Sequence, residues 1–355
     1  MERLPNLDPL RFILASLVVF FHLPQLSSNQ GLPSATIIPV FNRGTEAVYM
    51  FFVLSGFLII KLIYRQKLQS RFSIKKFYIR RALRILPLYY LIVSFGFIFY
   101  NVILPYLGIP FEINYKLHEG ILWTVFFLPN VFAKLYAPGG ILGILWSIGI
   151  EVQFYFMIAL LMYFVTKTKV LRMLVVLSVF YFVMYHLDVL YFLRQYYFVY
   201  FFLFFGGIIA ILEEKKQLEF LKSSSIIPLL IVCAVVLYFF TDLLYFESLW
   251  LYNLFTMIIF GLFIHTLAHN NCGKQIRNKR LHHLGHISYG IYMYHVIAMN
   301  AVVFLFLKVQ EMEIFNDLVM IILIYILTFA LTILMAHFSY KYFETYFLKL
   351  KNKFR

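Results

Sequence analysis

Charge is scarce in this chain, and acidic charge is scarcest. Of its 355 residues 13% are charged, and the 16 acidic residues are outnumbered by 31 basic ones. A soluble domain carries about 25% charged and about 45–50% apolar residues. Here 63% are hydrophobic and the mean hydropathy is +0.83, which excludes a water-soluble globular fold. Cysteine is nearly absent. Cys233, inside an apolar run, and Cys272, in a basic loop, are too few for a disulfide framework, and both are expected to be free. No metal-ligand spacing, phosphate-cradling glycine loop or nucleophile elbow is present. The first apolar run is too long for a signal-peptide core and lacks a small-x-small cleavage site. Internal repeats, low-complexity linkers and a second domain are likewise missing.

Long apolar runs fill the remainder. Stretches able to span a bilayer lie at about 7–27, 45–63, 84–105, 143–165, 170–187, 196–212, 226–244, 249–268, 285–307 and 317–338. The run at 120–133 has an apolar part of only about a dozen residues, too short to cross, and is expected to be interfacial or re-entrant. With the N-terminus inside, 25 of the 31 Lys and Arg fall in inner segments, the positive-inside pattern. The expectation is therefore an all-α, polytopic membrane protein of about ten transmembrane helices with both termini cytoplasmic. Residues 1–340 form one membrane domain and 341–355 a short basic cytoplasmic tail. The 42 Phe and 27 Tyr suit lipid-facing surface and the membrane interfaces. The net charge of +15 lies between apolar runs, where it orients the protein and meets lipid headgroups. Nothing beyond charge points to nucleic acid.

Polar groups inside the apolar runs are the candidates for chemistry, because a titratable side chain in lipid is costly. Arg11 and His22 lie eleven residues apart in RFILASLVVFFH. On a helix they sit on one face, about 16 Å apart. Glu151 in LWSIGIEVQFYF and His295 in HISYGIYMYHVI complete the buried set, with His22 and Glu151 at similar expected depth. Each has a structural alternative as interhelical glue or a satisfied core group. The other eight histidines lie near span ends or in loops and are given structural roles. In KKFYIRRALRILPLYY, Lys76, Arg80 and Arg84 follow i, i+4 spacing and Arg81 and Arg84 i, i+3. That ridge suits phosphate, which guanidinium groups grip bidentately, or simply lipid headgroups. Ser55 and Gly56 in FFVLSGFLII permit close helix packing or open the backbone beside a ligand. Gly206 and Gly207 read as packing. Trp146 stacks on a sugar or anchors at the interface.

Taken in order, these segments resemble the acyltransferase 3 family of integral membrane acyltransferases. LDPLRFILASLVVFFH is similar to the family's opening basic residue and histidine, FFVLSGFLI to its second-span signature, and FYIRRALRILPLYY to its Arg-x-x-Arg loop. LWSIGIEVQFYF and LGHISYGIYMYHVI resemble its Trp-Ser…Glu and Ser-Tyr…His motifs, and SYKYFE matches its terminal motif in part. Where the family often carries an acid before the FFVLSGF run, Tyr49 stands, with Glu46 three residues earlier. Glu344 is followed by Thr345 and Tyr346 instead of Arg-Pro. Neither acid is given a catalytic role.

The resemblance implies a stand-alone O-acyltransferase of the bacterial inner (plasma) membrane. It would move an acyl group, acetyl by default, from cytoplasmic acyl-CoA to a hydroxyl of a cell-envelope saccharide or lipid-linked glycan. His22 would be the base, oriented by Glu151, or a nucleophile forming an acyl-histidine. Arg11, Arg81 and Arg84 would hold acyl-CoA. Ser55, Gly56, Trp146 and His295 would support the substrate or the structure. No resident cofactor or metal is implied. The rival class is an exporter or transporter of saccharides or lipid-linked glycans, which also needs buried charges, but neither an inverted repeat nor a matched pair of broken helices is evident. The orientation is testable: a green fluorescent protein fused after Arg355 should fluoresce and alkaline phosphatase fused there should be inactive. The opposite pair of results would invert the topology.

Overall fold

The computed structural model describes residues 4, 6–35, 39–222, 226–268, 276–310 and 315–354. Among them all regular structure is helical. The main elements are α1 (Leu7–Asn29), α2 (Gly44–Leu68), α3 (Ile74–Ile98), α4 (Leu117–Val125), α5 (Pro129–Tyr136), α6 (Trp146–Phe164) and α7 (Val170–His186). They continue with α8 (Tyr200–Glu214), α9 (Ile226–Phe240), α10 (Leu249–Ala268), α11 (Lys279–His286), α12 (Ser288–Gln310), α13 (Asp317–Phe338) and α14 (Thr345–Leu350).

Seven of these, some with their helical extensions, are long and apolar enough to cross a membrane: α1, α2, α3, α6, α10, α12 and α13. An eighth arises if α7 and the turn Asp188–Gln195, bent 91° from it, count as one span. The expected ten included the runs that form α7, α8 and α9, of 17, 15 and 15 residues. Fifteen residues rise about 22 Å, short of the roughly 30 Å hydrocarbon core. Segment 120–133 falls in the nine-residue α4 and eight-residue α5, neither able to cross. Both are tied down: the Tyr89 hydroxyl donates to the Thr124 carbonyl (2.9 Å), and Gln153 Nε2 donates to Asn130 Oδ1 (3.0 Å).

The chain divides into two compact units, residues 1–51 with 216–342 and residues 52–215 with 343–355. Two of the boundaries cut through α2 and the helical stretch after α13, and the third falls in the turn that follows α8. In the first unit α1 lies against α11, α12 and α13, and α12 packs along α13. Ala15, Val19 and Leu23 of α1 join Ile291, Met299 and Ile324 in a fully buried core. Phe20 stacks on Phe329 and Tyr325 of α13. Asn6 fixes the start of α1, donating to the Leu267 carbonyl and accepting from Ile276 N–H. A Cβ on Gly285 would lie 2.1 Å from the Asp8 carbonyl oxygen, so only glycine lets α11 approach α1 this closely.

In the second unit α2 and α8 cross with their backbones touching. A Cβ on Gly56 would come within 1.9 Å of the Leu203 carbonyl oxygen, and one on Gly206 within 2.0 Å of that of Val53. The small residues at both positions therefore serve packing, as such pairs do between membrane helices. The same two helices share a buried ion-pair cluster. Lys61 donates to Glu213 and lies 3.4 Å from Glu214, which Arg65 also holds at 2.7 Å. Lys67 closes the C-terminal end of α6, donating to the carbonyls of Met162 and Val165, groups a helix end leaves unpaired. The basic segment after residue 340 continues as helix and α14 packs on α3. Cys233 is a free, exposed thiol, and Cys272 lies outside the described residues.

Removing one partner of a buried ion pair typically costs about 3–5 kcal/mol. Lys61→Ala should accordingly lower the melting temperature of the detergent-solubilised protein sharply. The double change Lys61→Met with Glu213→Gln should recover most of that loss. Equal melting of the single and double variants would contradict the pairing.

Candidate active site

Each unit places a set of polar side chains where the surroundings are apolar. In the first, Arg11 and His22 lie on α1 as expected, and Arg11 is not a lone cation. Its guanidinium donates to Asp8 Oδ1 at 3.1 Å. Asp8 is itself buried, and its second oxygen lies 3.6 Å from His282 and 3.7 Å from His286 of α11. Asp8 was legible, since it precedes Arg11 by three residues and such pairs face each other on a helix. The two α11 histidines, taken as loop residues in the sequence, could not be linked to Arg11 without the packing of α11 on α1.

Eleven residues farther along α1, the half-buried His22 ring lies beside His295 of α12, with centroids 5.3 Å apart and planes inclined by 31°. His22 thus turns toward a neighbouring helix. His295 has no exposed surface. Its Nδ1 is bonded to the Tyr292 carbonyl, one turn back, and its Nε2 has no partner among the described residues. Two residues beyond His22 stands Pro24, inside the helix. Having no N–H, it cannot donate to the Phe20 carbonyl, and the helix continues because Leu23 and Pro24 are both packed.

A further polar group gathers in this unit around Arg43. The guanidinium donates to Asp242 (2.7 Å) and to the Tyr252 hydroxyl (3.0 Å), and that hydroxyl donates to Glu46 (2.7 Å). Burial opposes the charge of Arg43, but Tyr252, Glu46, Tyr238 and Asp242 outweigh it and hold the pKa above its ordinary value. Glu46 is thereby a tie between α2 and α10.

In the second unit Glu151 of α6 is held by two hydroxyls. Ser55 Oγ donates to its Oε1 at 2.6 Å, and Tyr155, one turn on, donates to the same oxygen. Tyr155 was missed, although i, i+4 spacing in EVQFY marks it. Ser55 is therefore a ligand of the carboxylate, while Gly56 beside it serves the α2–α8 crossing. Arg81 of α3 lies over the rings of Phe77 (5.7 Å) and Tyr155 (5.8 Å), within cation–π range. Its Nε and that of Arg80 are buried without a partner among the described residues. Arg84, half-buried, follows one turn later. A cavity of about 90 Å³, lined by Tyr78, Arg81, Ile85, Phe127, Val152 and Tyr155 among others, opens beside Arg81. Trp146 packs on Tyr197 (4.6 Å) and Phe52 (5.9 Å). Among the described residues no group of three or more His, Cys, Asp or Glu side chains could hold a metal ion.

These positions carry the motif residues in chain order, and a family model described as an acyltransferase domain matches residues 4–337. The chain belongs to the acyltransferase 3 family. No curated protein and no solved structure matches it. Membership makes this polytopic membrane protein an acyltransferase. All nine residues singled out from the acyltransferase motifs are described. Arg11, His22 and His295 belong to the first unit, and Ser55, Gly56, Arg81, Arg84, Trp146 and Glu151 to the second.

Glu151 depends on its two donors. Loss of a hydrogen bond to a buried charged group costs about 1.5–3 kcal/mol. Tyr155→Phe and Ser55→Ala should each lower thermal stability, and the double variant should lose more than either. Unchanged melting of the double variant would mean the carboxylate does not need them.

Proposed function

We propose that this acyltransferase moves an acyl group, acetyl first, from cytoplasmic acyl-CoA to a hydroxyl of a cell-envelope saccharide or lipid-linked glycan in a bacterial inner membrane. The observation that carries the reading is His22: an imidazole on the opening helix, turned toward a second, fully buried imidazole. An imidazole can take and return a proton, and in its neutral form it offers a lone pair to an acceptor hydroxyl.

In this reading His22 accepts the proton of the acceptor hydroxyl while the hydroxyl oxygen attacks the thioester carbonyl. The new C–O bond forms, the C–S bond breaks, and the departing CoA thiolate recovers the proton from His22. In the covalent variant the His22 nitrogen attacks the thioester, the C–S bond breaks and CoA leaves as thiolate; the acceptor hydroxyl then attacks the acyl-imidazole, its proton passes to that thiolate, and the C–N bond breaks to return His22. Arg81 and Arg84 hold the donor's phosphates, where guanidinium groups in a poorly screened setting make strong charge-assisted bonds. Arg11, anchored by Asp8, is the first unit's candidate for holding acyl-CoA. Glu151 acts through Ser55 and Tyr155, whose hydroxyls it orders, and the half-buried Trp146, packed on Tyr197 and edge-on to Phe52, supports the substrate or the fold.

The decisive measurement is release of free CoA from acetyl-CoA by purified protein with an envelope-glycan acceptor, paired with mass spectrometry of the acceptor. His22→Ala should abolish release, a loss of at least about 100-fold, while the protein remains inserted and monodisperse. Arg81→Ala with Arg84→Ala should raise the donor KM by about tenfold or more, as lost charge-assisted bonds of about 1.5–3 kcal/mol imply. Full transfer by the His22 variant would reject the base. Saccharide movement without acyl transfer would favour an exporter.

A further inference from the structure

His295 offers more than support. Its Nδ1 is bonded to the Tyr292 carbonyl oxygen. A carbonyl only accepts, so Nδ1 must be the donor. In the neutral ring that uses the single proton, and Nε2 is left as a bare lone pair. This nitrogen is buried, and no described residue donates to it. Buried acceptors without donors are rare in folded proteins and call for an explanation. The core on this side of α1 is built from Ala15, Val19, Leu23, Ile291 and Met299, none of which carries a side-chain donor. Two polar rings lie beside His295: that of Tyr292 on its own helix, 5.6 Å away, whose hydroxyl does not donate to Nε2, and that of His22 on α1, 5.3 Å away.

The same unit contains a scale for that distance. His283 and His337 are hydrogen-bonded nitrogen to nitrogen at 3.0 Å, and their ring centroids are 5.1 Å apart. The His22–His295 separation is within a few tenths of an ångström of that value. The planes are inclined by 67° in that pair and by 31° between His22 and His295, so a rotation of one ring is needed to bring the two into the same contact.

We propose that His295 is a positioning residue for His22, its Nε2 accepting the N–H of one His22 nitrogen so that the other nitrogen keeps its lone pair for the acceptor hydroxyl. The inference rests on the reading of His22 as the base. It deepens that reading by naming what sets the tautomer. When His22 takes the hydroxyl proton it carries two N–H groups and a positive charge, and its bond to His295 becomes charge-assisted and stronger. His295 keeps its own Nδ1 proton throughout, because the Tyr292 carbonyl is no base. The proton taken by His22 therefore returns to the leaving thiolate. The arrangement does what the buried carboxylate does in a Ser-His-Asp triad, orienting the imidazole and favouring its protonated form, without burying a second charge.

The test uses the full-length protein in detergent with two substitutions and one spectroscopic measurement. His295→Gln places an amide oxygen where Nε2 was, and His295→Leu removes the acceptor. The Leu variant should lose about 100-fold in kcat with both KM values unchanged, and the Gln variant should regain at least about tenfold of it. Equal losses in the two variants, or a loss confined to KM, would overturn the proposal. ¹⁵N-histidine NMR of the unsubstituted protein supplies an arm independent of activity and of whether the variants fold. His295 should show a protonated Nδ1 and an unprotonated, hydrogen-bonded Nε2, and the Nε2 resonance should move in His22→Phe. A proton on Nε2, or an Nε2 resonance indifferent to His22→Phe, would overturn the pairing. If instead His22→Ala retains full transfer while the NMR pairing is observed, it is the base assignment that fails.

Discussion

Inside a bilayer there is no water to complete a hydrogen bond, so each polar atom must find its partner within the chain. Most of the polar architecture here follows from that constraint. Lys61 meets Glu213, Lys67 closes the carbonyl end of α6, Glu151 is held by Ser55 and Tyr155, and Arg43 joins Asp242, Tyr252 and Glu46. In each of these groups a charged side chain finds its partners within the chain. Several other buried polar atoms have no hydrogen-bond partner among the described residues, among them Glu46 Oε2, the Nε2 of His295 and the Nε atoms of Arg80 and Arg81. His295 Nε2 lies beside His22, and Arg80 and Arg81 lie on the basic ridge.

The way each unit is packed decides which residues can take part. Glycine at 56 and 206 brings α2 and α8 into backbone contact, and the step along α2 from Gly56 to Ser55 turns from packing to a hydroxyl aimed at Glu151. Gly285 does the same for α11 against Asp8, which in turn lies within reach of Arg11, His282 and His286. Small residues at helix crossings are thus the reason that polar side chains one position away meet a partner from another helix.

Much of this was open to reading from residue order. The helical class, the short 120–133 segment and the family motifs rest on apolar run length and on spacing, which are local properties. Asp8, Tyr155 and Phe77 stand three or four residues from Arg11, Glu151 and Arg81, and helical geometry alone marks them. The span count was less legible, because hydropathy registers apolar content and not where a helix breaks. Residues 170–187 and 226–244 are apolar enough, yet α7 is followed by a 91° bend and α9 ends at Phe240. Asp242, a partner of Arg43, and Glu213, a partner of Lys61, are 199 and 152 residues distant in the chain, and no local pattern connects them.

The histidine pair shows where spacing stops and chemistry begins. His22 is distinguished in the sequence by a rule of depth and face, and His295 by a motif, but neither rule says which of four nitrogens holds a proton. That is set by a single backbone carbonyl, Tyr292, three residues before His295 on α12. Any residue at position 292 supplies a carbonyl, so the side-chain sequence carries no sign of the bond. It exists because α12 is helical there and because Nδ1, not Nε2, is the ring atom nearest its own backbone. A histidine on a membrane helix can fold back onto its own helix in this way and present the far nitrogen as an acceptor. It becomes a hydrogen-bond receiver of fixed sense without any second charged group. In a medium where a buried carboxylate is expensive, that is a direct way to orient a neighbouring imidazole.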